Sequence, residues 1–357
     1  MNNSSAKISY QGKKVFVGID VHKKSYSVVA VVEGIVAKKW RTLASPDQLA
    51  EQLQRYFPGA SIYTAYEAGF SGFVLHRVLT EAGIDNLVVN PGSIEVAVNN
   101  RVKTDKRDAR KIATLLEAGR LPRIRVPSPQ QEQERLLTRT RQQLVEERSA
   151  IKNRIRMKCH QMGLIDPNDN REMSHKLVEE MLAQSPSPEF TLVIKAYWSV
   201  WKSIETQIRK LEQKLKEQAK TDPNETIYRS APGIGFLSAR ILSLELGNMS
   251  HFANERQLFS YTGLTPSEFS SGDTVRKGHI THQGNKRVRY ILTEAAWTAI
   301  KKERHLKEFF ERLYPRTGKK KAIVAVARKF IGRIRAAFRH QTTYQINPII
   351  SEVAQTG

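Results

Sequence analysis

Short apolar runs alternate with polar segments through the first third of the chain, a pattern typical of strands and helices in one α/β domain. Three runs close in sequence, Val15–Asp20, Ser27–Val32 and Ile35–Leu43, predict three strands. Two further runs, Ile62–Tyr66 and Leu87–Val89, predict strands that are separated by longer polar segments. The spacing leaves room for helices between the later strands.

Apolar residues at helical spacing fill those gaps. Ser45, Pro46 and Asp47 are residue types that favour the N-cap, the first position and the first turn of a helix. Helices are also predicted over Phe73–Ala82 and from Lys103–Arg110 onward. Three strands followed by alternating helices and strands is the order of an RNase H-like fold, in which parallel strands extend an antiparallel trio. Alternation alone also allows other α/β folds.

Two long helical segments are predicted in the middle of the chain, Gln130–Met162 and Phe190–Lys220. Apolar residues recur every seven positions from Leu137 to Ile151, which indicates a coiled coil or a helical hairpin. The segment between them, Ile165–Pro188, is rich in proline and polar residues and is interpreted as a connector. The first long segment is rich in arginine and lysine, which fits a solvated helix face or a surface facing nucleic acid.

The last third is predicted to be mainly helical, with a loop rich in glycine and serine at Pro266–Gly284 and a basic tail. The expected organisation is an α/β domain at 1–125, a coiled-coil region with its connector at 126–222, and a helical C-terminal domain at 223–357.

Charge narrows the choice of partner. The chain has 58 Lys and Arg against 35 Asp and Glu, a net charge of +23, which favours a polyanion such as nucleic acid. The only cysteine, Cys159, excludes an intrachain disulfide and a cysteine-rich zinc site. No apolar run has the length of a membrane span and no secretion leader is recognised, so a cytoplasmic protein is expected.

Four carboxylates lie at predicted strand ends and at a predicted helix start, positions from which they could converge on one site. Asp20 ends the first predicted strand, and Glu67 ends the fourth. Asp105 and Asp108 share one face of a helix near its start. Carboxylate oxygens suit hard cations, and two Mg²⁺ ions can support phosphoryl transfer. Taken singly, each aspartate also fits a turn or helix cap.

Three motifs carry a family resemblance: Gly18–Lys23 (GIDVHK), Tyr66–Gly69 (YEAG) and Thr104–Ala109 (TDKRDA). In this order they resemble the signature of the DEDD insertion-sequence transposases, the bridge-RNA-guided recombinases. The resemblance covers nearly the whole chain: a RuvC-like N-terminal domain, a coiled coil and a C-terminal transposase domain. It implies a catalytic, metal-binding tetrad of Asp20, Glu67, Asp105 and Asp108.

The same family uses a serine nucleophile, placed before a glycine and after a Gly-Leu-x-Pro turn. Gly263–Pro266 matches the turn, and Ser271 before Gly272 matches the nucleophile, with Ser270 as the alternative. The resemblance implies a phosphoserine intermediate, Mg²⁺ with Mn²⁺ as a substitute, donor and target DNA, a structured guide RNA, and a homodimer or larger assembly. On residues alone, the serines fit an ordinary polar loop.

A further set of residues is predicted to contact phosphates. Gly233 and Gly235 resemble the turn of a helix-hairpin-helix, whose backbone N–H groups face the nucleic-acid backbone, although a plain helix–helix turn fits too. The cationic members of the set are Arg276, Lys277, Lys286, Arg287 and Arg289.

Two rival functions stay open at this point. A Holliday-junction resolvase or nuclease would cut with the tetrad alone. A non-enzymatic nucleic-acid-binding protein would not cut at all.

Overall fold

A five-stranded mixed sheet, in the order β3-β2-β1-β4-β5, forms the centre of the first of two units, Met1–Pro127. In this computed structural model the described residues are 9–93, 105–268, 277–280 and 283–346. The strands are β1 (Lys14–Val21), β2 (Ser25–Val32), β3 (Ile35–Leu43), β4 (Ser61–Glu67) and β5 (Asp85–Val89). The first three pair antiparallel, and β4 and β5 extend the sheet in parallel from β1. The predicted strands and their mixed arrangement are confirmed.

Three helices cover the two faces of this sheet: α1 (Pro46–Tyr56), α2 (Val74–Glu81) and α3 (Asp105–Glu117). Leu49 of α1 and Leu79 of α2 are buried with Ile19 on one face. Ile112 of α3 is buried with Ala65 on the other face. Each strand therefore has one row of side chains toward α1 and α2 and the other row toward α3, because successive residues of a strand point to opposite faces.

The second unit, Ser128–Gly357, is mainly helical. Its helices are α4 (Pro129–Gln161), α5 (His175–Ala183), α6 (Pro188–Ala219), α7 (Asn224–Ser230), α8 (Phe236–Leu246), α9 (Glu255–Thr262), α10 (Lys286–Lys302), α11 (Arg304–Thr317) and α12 (Lys319–Arg339). Helices α4 and α6 pack along each other, and Ile155 of α4 is buried in the same core as Trp201 of α6. None of the helices in the described residues is both long and apolar enough to cross a membrane.

Two features of this unit differ from the sequence-based expectation. The predicted connector contains α5, so that interpretation was wrong over these residues. Ser174 caps α5 by accepting the N–H of Leu177 at 3.2 Å, and Val178 and Met181 bury its apolar side against α4 and α6. The second difference is a pair of short antiparallel strands, β6 (Pro266–Glu268) and β7 (Lys277–Ile280), within the predicted loop.

Candidate active site

Asp20 and Glu67 lie on neighbouring parallel strands at the same end of the sheet. The register pairs Ile19 of β1 with Tyr66 of β4, so the next residue of each strand carries one of the two carboxylates. Ile19 and Tyr66 are fully buried on the face covered by α1 and α2. Asp20 and Glu67 are half-buried and belong to the opposite row, which faces α3.

The first half of α3 packs closely against Gly18, which lies in the same row of β1 as Asp20. A Cβ built on Gly18 would lie 2.0 Å from the carbonyl oxygen of Ala109 and 2.6 Å from the amide nitrogen of Ala113. Only glycine permits this approach of helix to strand. Asp108 directly precedes Ala109 and is half-buried, so this contact packs the backbone next to Asp108 against β1, the strand that bears Asp20.

Replacing Gly18 with Ala is expected to lower the free energy of unfolding of the first unit by about 3 kcal/mol or more, because the new methyl group meets helix backbone that cannot rotate away. The matched control is Gly69→Ala, whose Cβ meets its nearest atom at 3.9 Å. Thermal denaturation of both variants checks this. Equal stability of the two variants would contradict the close packing of α3 on β1.

The donor set suits a hard cation, although it is incomplete among the described side chains. Asp20 Oδ2 lies 3.1 Å from His22 Nε2. Within the described part of the chain, no group of three or more Asp, Glu, His and Cys side chains is close enough together to hold a metal ion. The backbone of Asp105 opens α3, but its side chain is outside the described residues. The four-carboxylate site therefore stays a prediction.

The serine segment begins and ends at one place in the second unit. Ser270, Ser271 and Arg276 lie outside the described residues. Strands β6 and β7 flank them: Glu268 pairs with Lys277, and Ser267 Oγ donates a hydrogen bond to the carbonyl oxygen of His279 at 2.9 Å. The eight residues 269–276 thus connect two positions that lie side by side.

The basic start of α10 follows a few residues after β7. Asn285 caps α10, with its side-chain oxygen accepting the N–H groups of Arg287 and Val288. Arg289 Nη1 donates to the carbonyl oxygen of Thr262 at 3.3 Å and to that of Gln283 at 3.2 Å. Arg289 therefore joins the end of α9 to the start of α10 whether or not it also contacts phosphate. The structure leaves Lys286 exposed.

Comparison with known proteins decides the family. Residues 17–162 match a family model described as a transposase, of the DEDD IS110 type, and residues 225–311 match the model of the transposase IS116/IS110/IS902 family. A Sinorhizobium fredii protein named transposase y4qE is 30% identical over 294 residues, covering 80% of this chain and 72% of that protein. The chain belongs to the IS110-type DEDD transposases.

Two further relatives also match over most of the chain. The transposase for insertion sequence element IS1111A of Coxiella burnetii is 25% identical and covers 76% of both chains. The transposase for insertion sequence element IS1533 of Leptospira borgpetersenii is 25% identical and covers 92% of this chain and 96% of its own. The resemblance inferred from the three motifs is confirmed at the level of the family. The first matched segment contains all four predicted acids of this transposase, and the second contains Ser271.

Glu245 of α8 is a buried anchor of the transposase that the sequence-based analysis missed. It is 3% exposed, and its carboxylate lies 3.1 Å from Arg139 Nη2 and accepts a 3.0 Å hydrogen bond from Asn285 Nδ2. Burial lowers the pKa of the nearby Arg287 guanidinium, and the charge of Arg139 lowers it further. The available signal was an acid inside the apolar run of α8, because a buried charge needs partners.

The basic residues of α4 are mostly engaged inside the second unit. Arg141 Nη2 lies 2.7 Å from Glu212 Oε1 of α6, and Lys152 Nζ lies 2.9 Å from Glu172 Oε1. Helix α4 contains eight Lys and Arg residues, and six of them pair with an acidic side chain or a backbone carbonyl of this unit: Arg135, Arg139, Arg141, Arg148, Lys152 and Arg156. Much of this positive charge therefore joins helices to one another.

Gly233 and Gly235 form the turn between α7 and α8. Gly233 has a φ of +81°, and a Cβ there would lie 2.8 Å from the carbonyl oxygen of Ala295. Gly235 precedes the first turn of α8, with open space beside it. A cleft of about 430 Å³ opens at this turn, with Arg229 and Lys302 in its wall. This turn between two helices is compatible with the predicted backbone contact to phosphate, which stays a prediction.

Proposed function

We propose that this transposase cuts and rejoins DNA at a divalent-metal site held by Asp20, Glu67, Asp105 and Asp108, with Ser271 as the nucleophile. The observation that carries the proposal is the contact between Gly18 and the backbone of Ala109, because it packs the helix that bears Asp105 and Asp108 against β1, the strand that bears Asp20 and is paired with the strand of Glu67. The same strand order and helix placement support an RNase H-like fold for the first unit.

The residues present fit Mg²⁺, or Mn²⁺ in its place. All four proposed ligands are carboxylates, which hard cations prefer, and Asp20, Glu67 and Asp108 are each half-buried on one side of the sheet. When bound, such ions neutralise the charge that develops on a phosphate during its transfer. The pairing of β1 with β4 supports neighbouring positions for Asp20 and Glu67, and the packing of α3 on Gly18 supports an approach of Asp108 from the face that α3 covers.

The proposed serine reaction needs no external energy source, because each phosphorus–oxygen bond that breaks is replaced by another. The Ser271 Oγ–H loses its proton as Oγ forms a bond to a DNA phosphorus, and the bond from phosphorus to the departing strand oxygen breaks while that oxygen gains a proton. The reverse reaction with a new strand restores the serine and leaves the strands joined. Exposed Lys286, with Arg276 and Lys277, supplies positive charge near the phosphate.

The partners follow from the family resemblance. Donor and target DNA are the substrates, and a structured guide RNA would choose them by base pairing. The carboxylates lie in the first unit and Ser271 in the second, so catalysis requires an assembly in which the two halves meet. A homodimer or larger homo-oligomer on two DNA molecules satisfies that requirement.

A covalent adduct is the test of this proposal against its rivals. The protein is incubated with Mg²⁺, with the RNA transcribed from the noncoding sequence beside its gene, and with DNA that carries the ends of the element. Denaturing gels then reveal protein joined to DNA. A resolvase or nuclease gives cut strands without an adduct, and a purely binding protein gives neither product.

Salt dependence tests where DNA phosphates are contacted. Residues 286–339 contain 17 Lys and Arg against four Glu, a net charge of +13, and Lys319, Lys320 and Lys321 are exposed at the start of α12. Changing these three lysines to Gln is expected to reduce the slope of log affinity against log salt for duplex DNA by up to about 3. Fluorescence anisotropy at several salt concentrations measures the slope.

The control for this prediction removes the same charge from α6. Lys195, Lys210 and Lys216 are exposed on that helix, and their replacement with Gln is expected to leave the slope nearly unchanged. If the slope of log affinity against log salt decreases by the same amount in both triple variants, the phosphate contacts are not concentrated at the start of α12.

A further inference from the structure

A row of aromatic rings runs along one surface of α10 and α11. Tyr290 is 67% exposed, and Trp297 lies seven residues later, two turns along the same side of α10. The Trp297 ring meets Phe310 of α11 at a centroid distance of 5.8 Å, and Phe310 stacks on Tyr314 at 5.8 Å. Tyr314 is 50% exposed. These four rings are called the aromatic face.

The two helices that bear the aromatic face lie side by side. They meet at Glu303, which ends α10 and begins α11. Trp297 and Phe310 are each about two turns from that junction, so their contact requires the helices to fold back on each other. The aromatic face therefore extends across both helices and leaves Tyr290 and Tyr314 as its solvent-exposed members.

Cations surround these rings. Lys319 Nζ lies 5.2 Å from the centroid of the Trp297 ring, and Lys286 and Lys301 are exposed four residues before Tyr290 and four residues after Trp297. Glu294 is an exposed acid on the same side of α10. The lysines at the start of α12 oppose the positive end of that helix, a repulsion that a bound polyanion relieves.

Aromatic rings among cations fit unpaired nucleotides better than duplex DNA. In a duplex the base faces are already stacked on one another, so a protein ring can stack on them only at the cost of unstacking a base step. An unpaired base offers a free face to a tyrosine while its phosphate meets a lysine. This combination explains why the tyrosines are exposed among so many positive charges.

We infer that the aromatic face binds the unpaired DNA strand that this transposase exposes when it opens or cuts its substrate. The inference rests on the proposed function for the origin of the strand. DNA is the assigned ligand because α10 begins six residues after β7, the strand that closes the proposed serine segment. The start of this face therefore follows closely in sequence after the proposed serine segment, so DNA held at that segment is the nearest candidate ligand along the chain.

The test measures binding of a labelled oligo(dT) strand, an oligo(rU) strand and a duplex, each about 20 residues or base pairs long, by fluorescence anisotropy. EDTA is present, so no strand is cut and neither the tetrad nor Ser271 is needed. Changing both Tyr290 and Tyr314 to Ala is expected to weaken oligo(dT) binding by roughly 10- to 100-fold, because base–aromatic stacking is lost at both positions. Duplex affinity is expected to change by less than about twofold.

Two matched double variants identify the cause. Tyr290→Phe with Tyr314→Phe keeps both rings and is expected to bind oligo(dT) as the unmodified protein does. Tyr290→Leu with Tyr314→Leu keeps apolar bulk without a ring and is expected to lose as much affinity as the alanine pair. Thermal denaturation confirms that all three variants are folded, which is expected because both side chains are exposed.

Any of three results with DNA would overturn the inference: unchanged oligo(dT) binding by the alanine pair, equal loss with the phenylalanine pair, or equal loss on the duplex. A loss confined to oligo(rU) would also overturn it and assign the face to RNA. The proposed function is judged separately, because adduct formation through Ser271 is measured without reference to oligo(dT) affinity. Ser271→Ala should bind oligo(dT) normally.

Discussion

Asp20→Asn is expected to reduce the rate of strand cutting by at least about a thousandfold, while the protein stays folded and binds DNA. The amide has nearly the same shape as the carboxylate but lacks its charge, so it is a poor ligand for a hard cation. The same loss is expected for Asn at Asp105 and Asp108, and for Gln at Glu67. DNA affinity should be kept or slightly raised, because each change removes a negative charge.

The matched control is Asp85→Asn in the same unit. Asp85 is half exposed at the start of β5, the opposite end of the parallel strands from Glu67, and it pairs with Arg123 at 3.1 Å. Its replacement removes the same charge and is expected to leave cutting nearly unchanged. Cutting is measured with labelled DNA on denaturing gels, and binding of Mn²⁺ is measured by calorimetry. Retained cutting by Asp20→Asn, or an equal loss with Asp85→Asn, would contradict the metal site.

Elements with strong local signals were predictable from the sequence. The helix start at Ser45 and Pro46 has the capping residues that free backbone N–H groups require, and the Ser45 side chain accepts the N–H of Gln48. Strand β3 has the predicted bounds, Ile35–Leu43. In both cases the residues that specify the element are its own members.

Features that depend on distant residues were not predictable in this way. Helix α5 is short and follows a proline-rich stretch. Its apolar side is stabilised by burial against α4 and α6, which the local sequence does not reveal. The basic residues of α4 fitted either a solvated face or a surface facing nucleic acid, but Arg141 pairs with Glu212, 71 residues away. The role of Gly18 also depends on tertiary structure, because its constraint comes from the backbone of Ala109.

In the candidate site, too, some features follow from local sequence and others depend on residues distant in sequence. Strand ends predicted the neighbouring positions of Asp20 and Glu67, since parallel strands end at one edge of a sheet. The expectation that Asp108 approaches them depends on the packing of α3 against Gly18, which the local sequence around Asp108 does not specify. The assignment of Ser271 came from the family pattern, because a serine before a glycine in a polar segment has no local feature that marks it as a nucleophile.

Ser271→Ala is expected to eliminate both the protein–DNA adduct and recombination. The substitution removes one hydroxyl and no charge, so binding of DNA and metal should persist, as should the fold of the second unit. Without Oγ no bond to phosphorus can form, so the loss of adduct is complete instead of partial. Denaturing gels detect the adduct, and amplification across the joined product detects recombination.

Ser270→Ala is the matched control, since it removes the same atom from the adjacent residue and should keep substantial activity. Strands β6 and β7 hold the two ends of the segment together, so neither substitution alters its anchoring. In the assembled state, Ser271 Oγ must approach a phosphate held at the carboxylate site to within about 3–3.5 Å. Adduct formation by Ser271→Ala and its loss in Ser270→Ala would move the nucleophile to the neighbour. Full cutting by both single variants and by the double variant, with no adduct in any of them, would mean that the carboxylates act as a nuclease with activated water.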